Sequence, residues 1–171
     1  MDSSTSIEET PKSQVSELAT VAEQVAAIDR LLALAQNHVR VFDLDLAQTG
    51  WGTHARVEAL ATFLRGMRGR RCDIIVHDTR YIEAACPRLL NLLRNYGHAV
   101  TIFRTGPDAR VATDPLMIVD RRHYLHRFHY EQPRAALGID CPDEAHLLSN
   151  RFDEIWATGE PAISGTVLGL G

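Results

Sequence analysis

Apolar residues recur every three or four positions between Gln14 and Gln36, at Val15, Leu18, Val21, Val25, Ile28, Leu31, Leu32 and Leu34. That period predicts one amphipathic helix, capped at its end by Asn37. The rhythm then changes. HVRVFDL, residues 38–44, reads as a strand, and QTGWGTH as a glycine-bearing turn. Ala55 to Met67 returns to helical spacing through Leu60, Phe63 and Leu64. CDIIVH, residues 72–77, is a continuous apolar run of the kind that suits a strand buried on both faces.

Asp78-Thr79 begins another helix, which Pro87 divides. A second piece starts at Pro87 and stops near Tyr96-Gly97. HAVTIF and LMIVD predict two further strands, separated by the loop GPDARVATD. HYLHRFHY and RAALGI predict two more, antiparallel to each other. Pro142, with Asp143 and Glu144 in the first turn, starts a helix that runs through Leu147, Leu148, Phe152, Ile155 and Trp156.

Strand–helix–strand–helix–strand implies parallel pairing with right-handed crossovers. The expected architecture is α/β: a mixed sheet, parallel in its first three strands and antiparallel beyond, flanked by helices and preceded by an N-terminal amphipathic helix. The expected divisions are a disordered tail at 1–12, the N-terminal helix at 13–37, the α/β domain at 38–158 and a flexible tail at 159–171.

The order of elements, then LMIVD, then a helix ending in RFDEIW resembles one half of the phospholipase D superfamily across residues 38–158. As a whole the chain resembles a proteobacterial domain family that carries no activity over to it. In the superfamily the fourth element bears His-x-Lys-x-x-x-x-Asp. Its His attacks phosphorus and its Lys neutralises the phosphoryl oxygens. With Asp120 at the Asp position, Thr113 stands where His belongs and Pro115 where Lys belongs. Threonine has no imidazole and proline no cation. The resemblance therefore implies the phospholipase D-like fold without its catalytic apparatus, and members that have lost the motif serve as ligand-sensing or dimerisation domains.

Composition narrows the function further. The 171 residues suffice for one ordinary domain. The net charge of −4 sits entirely in residues 1–37, so the rest is neutral and offers no global field for nucleic acid or anionic lipid. All but one of the 18 basic residues are arginine, the better side chain for bidentate anion contacts. The 3 cysteines are widely spaced, with no disulfide framework or zinc motif. The first residues are acidic, unlike a secretory signal, and no apolar run nears the ~20 residues that span a bilayer. Cytoplasmic location and no membrane contact are expected.

In a parallel α/β sheet ligands bind beyond the carboxyl ends of the strands. Asp43 and Asp45, His77 and Asp78, Arg104 and Thr105, and Asp120, Arg121, Arg122 and His123 follow the four strands. Together with Arg127 they form the candidate binding set for a small anionic molecule. Each also has a plain use as a cap or ion-pair partner. RRHYLHRFHYEQPR, residues 121–134, interleaves cations with aromatics as single-strand binders do. The spacing of its histidines gives no metal site, and no cofactor is expected.

The expectation is a non-catalytic ligand-binding, regulatory or dimerisation domain. A homodimer is expected, with the N-terminal helix contributing to the interface. One alternative is a hydrolase or transferase acting on a phosphate-containing substrate through Asp43, His77 and Asp78. Another is a nucleic-acid-associated domain using residues 121–134, which the neutral core disfavours.

Overall fold

A computed structural model describes residues 13–163. Eight strands form one mixed sheet: β1 (Gln14–Leu18), β2 (His38–Asp43), β3 (Arg71–Val76), β4 (Val100–Arg104), β5 (Leu116–Val119), β6 (His123–Arg127), β7 (Ala135–Ile139) and β8 (Glu160–Ile163). Their order across the sheet is β1-β7-β6-β5-β2-β3-β4-β8. Only β2, β3 and β4 run parallel. The other neighbours pair antiparallel.

Alternation along the central strands splits the core into two layers. Val39, Val41, Ile74, Val76, Ile102, Met117 and Val119 face α1 (Val21–Leu34), α2 (His54–Gly66) and α4 (Pro87–Asn95). Phe42, Ile75, Leu116, Ile118 and Tyr124 face α5 (Pro142–Ala157), where they meet Phe152 and Ile155. A short α3 (Arg80–Ala85) links β3 to α4. Trp51 is fully buried in the first layer. Arg56, itself buried, lies 4.9 Å from the Trp51 ring. It also donates to the Thr49 carbonyl at 2.9 Å and to Asp29 Oδ1 at 3.1 Å. Together they fasten the loop after β2 onto α1.

Both chain ends differ from the sequence reading. The helix expected from Gln14 starts at Val21, and Gln14–Leu18 is instead an edge strand on β7. Thr20 marks the switch: its hydroxyl accepts the Glu23 amide at 3.1 Å, the Thr-x-x-Glu arrangement of a helix start. The apolar stripe of α1 is spent inside the domain, with Ala27, Ile28, Leu31 and Leu32 buried. Of the two uses open to such a stripe, packing on its own domain or meeting a partner helix, the structure shows the first. At the other end, Glu160–Ile163 lies within the expected flexible tail yet pairs with β4. The expected disorder at 1–12 falls outside the described residues.

Four non-glycine residues, Leu46, Asp120, Arg121 and Asp140, have a positive φ, and two of them are adjacent. Asp120 and Arg121, between β5 and β6, have φ of 56° and 53°, a left-handed conformation that costs a non-glycine residue ~1–2 kcal/mol. Gly138 is the reverse case: a Cβ there would lie 2.1 Å from Tyr124 Cε1 on the neighbouring strand. Chemical denaturation should find Arg121→Gly more stable than the parent by about 0.5–1 kcal/mol, once glycine's greater unfolded freedom is set against the relieved strain. The same measurement should find Gly138→Ala destabilised by about 1–3 kcal/mol, the usual cost of overpacking.

Candidate functional site

Strand direction decides which polar residues meet. β2, β3 and β4 are parallel, so Asp43, His77 and Arg104 emerge at one edge of the sheet. β5 runs the opposite way beside β2, pairing Val39 with Val119 and Phe42 with Leu116. Thr113, Asp114 and Pro115 therefore enter at the carboxyl edge of β2, while Asp120 leaves at the far edge beside His38. β6 reverses again and returns Arg127 to the carboxyl edge. The structure thus brings Asp43, Asp45, His77, Asp78 and Arg127 to one edge and places Asp120, Arg121, Arg122 and His123 at the other. The single crevice expected to hold the whole set does not form, because the fourth strand is not parallel to the first three.

At the far edge most of the set is structural. Asp120 accepts three backbone N–H groups, from Gln36 at 2.8 Å, Asn37 at 2.8 Å and His38 at 2.9 Å. Arg122 Nε donates to Asp140 Oδ1 at 2.6 Å. His123 is buried, and its Nδ1 accepts the Asp140 amide at 2.9 Å. Burial lowers the His123 pKa, while Asp140 acts in the opposite sense.

Side chains alternate across β6, but neither face is a solvated surface. His123, Leu125 and Arg127 are all buried toward α1, and Tyr124 is buried toward α5.

At the carboxyl edge each candidate is held by its neighbours. Asp43 Oδ1 accepts the Leu44 amide at 2.6 Å, and Asp45 Oδ1 accepts the Ala47 amide at 2.9 Å. Burial pushes the Asp43 carboxyl up to about 6, against the lowering pull of the Leu44 and Asp45 amides. Arg127 donates to Gln132 O at 2.7 Å and Gln48 Oε1 at 2.6 Å. Asp43, Thr49, Pro115 and Arg127 line a cavity of about 30 Å³ under α1, on the order of the volume of one water in the liquid.

His77 is tied at both nitrogens. Its Nε2 lies 2.7 Å from the Ala112 carbonyl and its Nδ1 2.7 Å from Thr105 Oγ1. A carbonyl only accepts, so Nε2 carries the hydrogen and Nδ1 accepts the threonine hydroxyl. Asp78 is chelated by Arg80, with Nε at 2.9 Å and Nη2 at 2.5 Å from Oδ2. That side-chain hydrogen bond holds its carboxyl down at about 2. His77, Asp78, Arg80, Glu83, Arg104 and Arg110 line an open groove of about 620 Å³. Arg104 reaches Glu160 at 3.3 Å. Arg110 is exposed and makes no ion pair among the described residues.

The sequence reading missed a second cluster at this edge. Asp114 Oδ2 accepts from His126 Nε2 at 2.8 Å and from Arg151 Nε at 2.8 Å, and Arg151 Nη2 closes the fork on Oδ1. Desolvation opposes ionisation of Asp114, but the His126 and Arg151 hydrogen bonds prevail and hold its carboxyl at about 2. These residues come from the β4–β5 loop, β6 and α5. Their sequence separations carry no motif, and only the fold joins them.

The Asp43 shift gives a pH signature. Its ordinary carboxyl value is 3.8, and in the fold it rises to about 6. Between those values the folded protein keeps a proton that the unfolded chain has released, so this group's contribution to stability falls as pH rises. Asp43→Asn cannot ionise, so the parent should lose stability relative to this variant from about pH 4 to pH 6, as read by paired denaturant titrations. A difference independent of pH would show that Asp43 ionises as a free carboxyl does.

The fold is that of known proteins. The chain superposes on Nuc from Salmonella typhimurium, a phospholipase D family member, with a TM-score of 0.63 and 15% identity over 90% of this chain and 99% of that one. NucT from Helicobacter pylori gives 0.58 and 13%, over 88% and 100%. TrmBL2, an archaeal chromatin protein whose structure shows a novel mode of DNA binding, gives 0.66 and 14% over 91% of this chain. The chain spans only 56% of TrmBL2. At such identities the likeness is one of fold, and it agrees with the phospholipase D-like mixed sheet expected from the sequence. No curated protein matches the chain. A family profile matches residues 20–164, and the chain belongs to that family, Domain of unknown function (DUF7931).

Proposed function

We propose that this domain is a non-catalytic binding module that takes a small molecule bearing an anionic group in the groove at the carboxyl edge of β3 and β4. The observation that carries this reading is the state of the imidazoles at that edge. His77 has both ring nitrogens engaged, and His126 donates to a carboxylate already forked by Arg151. A nucleophilic or general-base histidine needs a free lone pair aimed at substrate, and His77, with both nitrogens engaged, offers none. Thr113 and Pro115 occupy the places that the superfamily resemblance gives to its His and Lys, and the chain's one lysine, Lys12, lies far outside that region.

Binding needs less than catalysis. The groove offers the guanidinium groups of Arg80 at the start of α3, Arg104 at the end of β4 and Arg110 in the β4–β5 loop, with Asp78 and Glu83 beside them. Arg110 is the cation with no carboxylate to leave, so it recruits an anion at the least cost. The basic residues of 121–134 support nucleic-acid binding poorly. Arg122 is spent on Asp140, Arg127 on Gln48 and Gln132, and Arg134 on Glu17.

Hydrolysis of bis-p-nitrophenyl phosphate by the protein should stay at the background rate, and turnover abolished by His77→Ala or His126→Ala would refute the non-catalytic reading. For the groove, AMP serves as a probe that joins a phosphate to an organic body. Its binding, followed by amide chemical shifts, should perturb the backbone at Arg104 and Arg110. Arg110→Ala should weaken it about tenfold, the loss of one charge-assisted contact. AMP shifts absent from these residues would place the site elsewhere.

A further inference from the structure

We propose that the cavity at the amino-terminal edge of β2, opposite the groove above, binds a compact dianionic oxyanion of the class of inorganic phosphate and terminal phosphate monoesters. The cavity, about 160 Å³, is lined by Asn37, His38, Arg40, Ile118, Asp120 and Arg121. That is several times the ~30 Å³ a water occupies in the liquid.

Arg40 is the first observation. Its side chain is only 11% exposed, and its Nη1 is buried with no hydrogen-bond partner. The nearest carboxylate oxygen, on Asp153, stands 3.8 Å away, too far for a hydrogen bond. A buried guanidinium N–H without a partner is costly enough to need an explanation. On its other side the guanidinium rests 5.9 Å from the Phe152 ring, which fixes it without satisfying its donors.

Arg121 is the second and independent observation. It is exposed, has no ion pair among the described residues, and sits on the strained left-handed backbone described above. Two arginines line one cavity although they repel. Burial is the main cause lowering the Arg40 pKa, Asp153 opposes it, and Arg121 adds to the lowering. Apart from Asp153, the carboxylates at hand are committed elsewhere: Asp120 to three backbone amides, and Asp73 to His38 at 2.7 Å and Arg71 at 3.3 Å. His38 spends its Nε2 on Asp73, so the arginines supply the unfilled donors.

A monocarboxylate answers one such cation. A phosphate answers both, with oxygens enough for each fork.

The test is titration of the full chain with inorganic phosphate at constant ionic strength, followed by amide shifts at residues 36–41 and 118–122. Sodium acetate and phenyl phosphate form parallel arms. Saturable phosphate shifts, absent with acetate, are expected. Phosphate alone shifting these residues identifies a site for the free ion, and both phosphates shifting them identifies a site open to terminal esters. Arg40→Met should abolish the response. Arg121→Gly, expected to fold at least as well as the parent, should weaken binding about tenfold. Arg110→Ala in the opposite groove should leave it unchanged, which separates this site from the proposed functional one. Equal shifts with acetate, parental affinity in Arg121→Gly, or no saturable phosphate response would overturn the assignment and leave water as the partner of Arg40.

Discussion

The antiparallel pairing of β5 with β2 governs the distribution of polar chemistry in this protein. A side chain at the end of a strand goes where the strand direction sends it. Phe42 pairs with Leu116 and Val39 with Val119, so Thr113–Pro115 arrives at the carboxyl edge and Asp120 departs at the other. Asp120 then bridges the start of β2 through three amides and closes that edge. Had β5 run parallel, four polar strand ends would have converged. Because it does not, the molecule has two separate polar edges of different character.

The carboxyl edge is a network of groups that answer one another. His77 joins the ends of β3 and β4 to the loop before β5. Asp114 joins that loop to β6 and α5. Such networks rigidify a fold, and at His77 the bonds withhold the lone pair that catalysis would use. The groove beside them holds Arg80 and Arg104 against carboxylates while leaving Arg110 uncommitted. That combination suits recognition of a ligand better than turnover of one.

Much of the fold could be read from the chain. The buried run CDIIV, the alternation in VRVF, and the Pro142-Asp143-Glu144 start of α5 are local signals, and the structure contains the elements they imply. β1 was obscured because Val15 and Leu18 also fit the helical period that begins in earnest at Thr20. β8 was obscured because an edge strand such as EPAI needs no apolar alternation. The candidate residues were legible as polar strand ends. What each one touches was not, because Asp114, His126 and Arg151 become neighbours only through the sheet.

The binding role of the carboxyl edge requires His77 to be a bound structural imidazole, and NMR of its ring nitrogens tests this most directly. Long-range proton–nitrogen spectra of the labelled protein at mildly alkaline pH should show His77 in the Nε2–H form, with that proton protected from exchange by the Ala112 carbonyl. A His77 protonated at Nδ1, or exchanging as fast as free imidazole, would show a ring available for chemistry and would contradict the account.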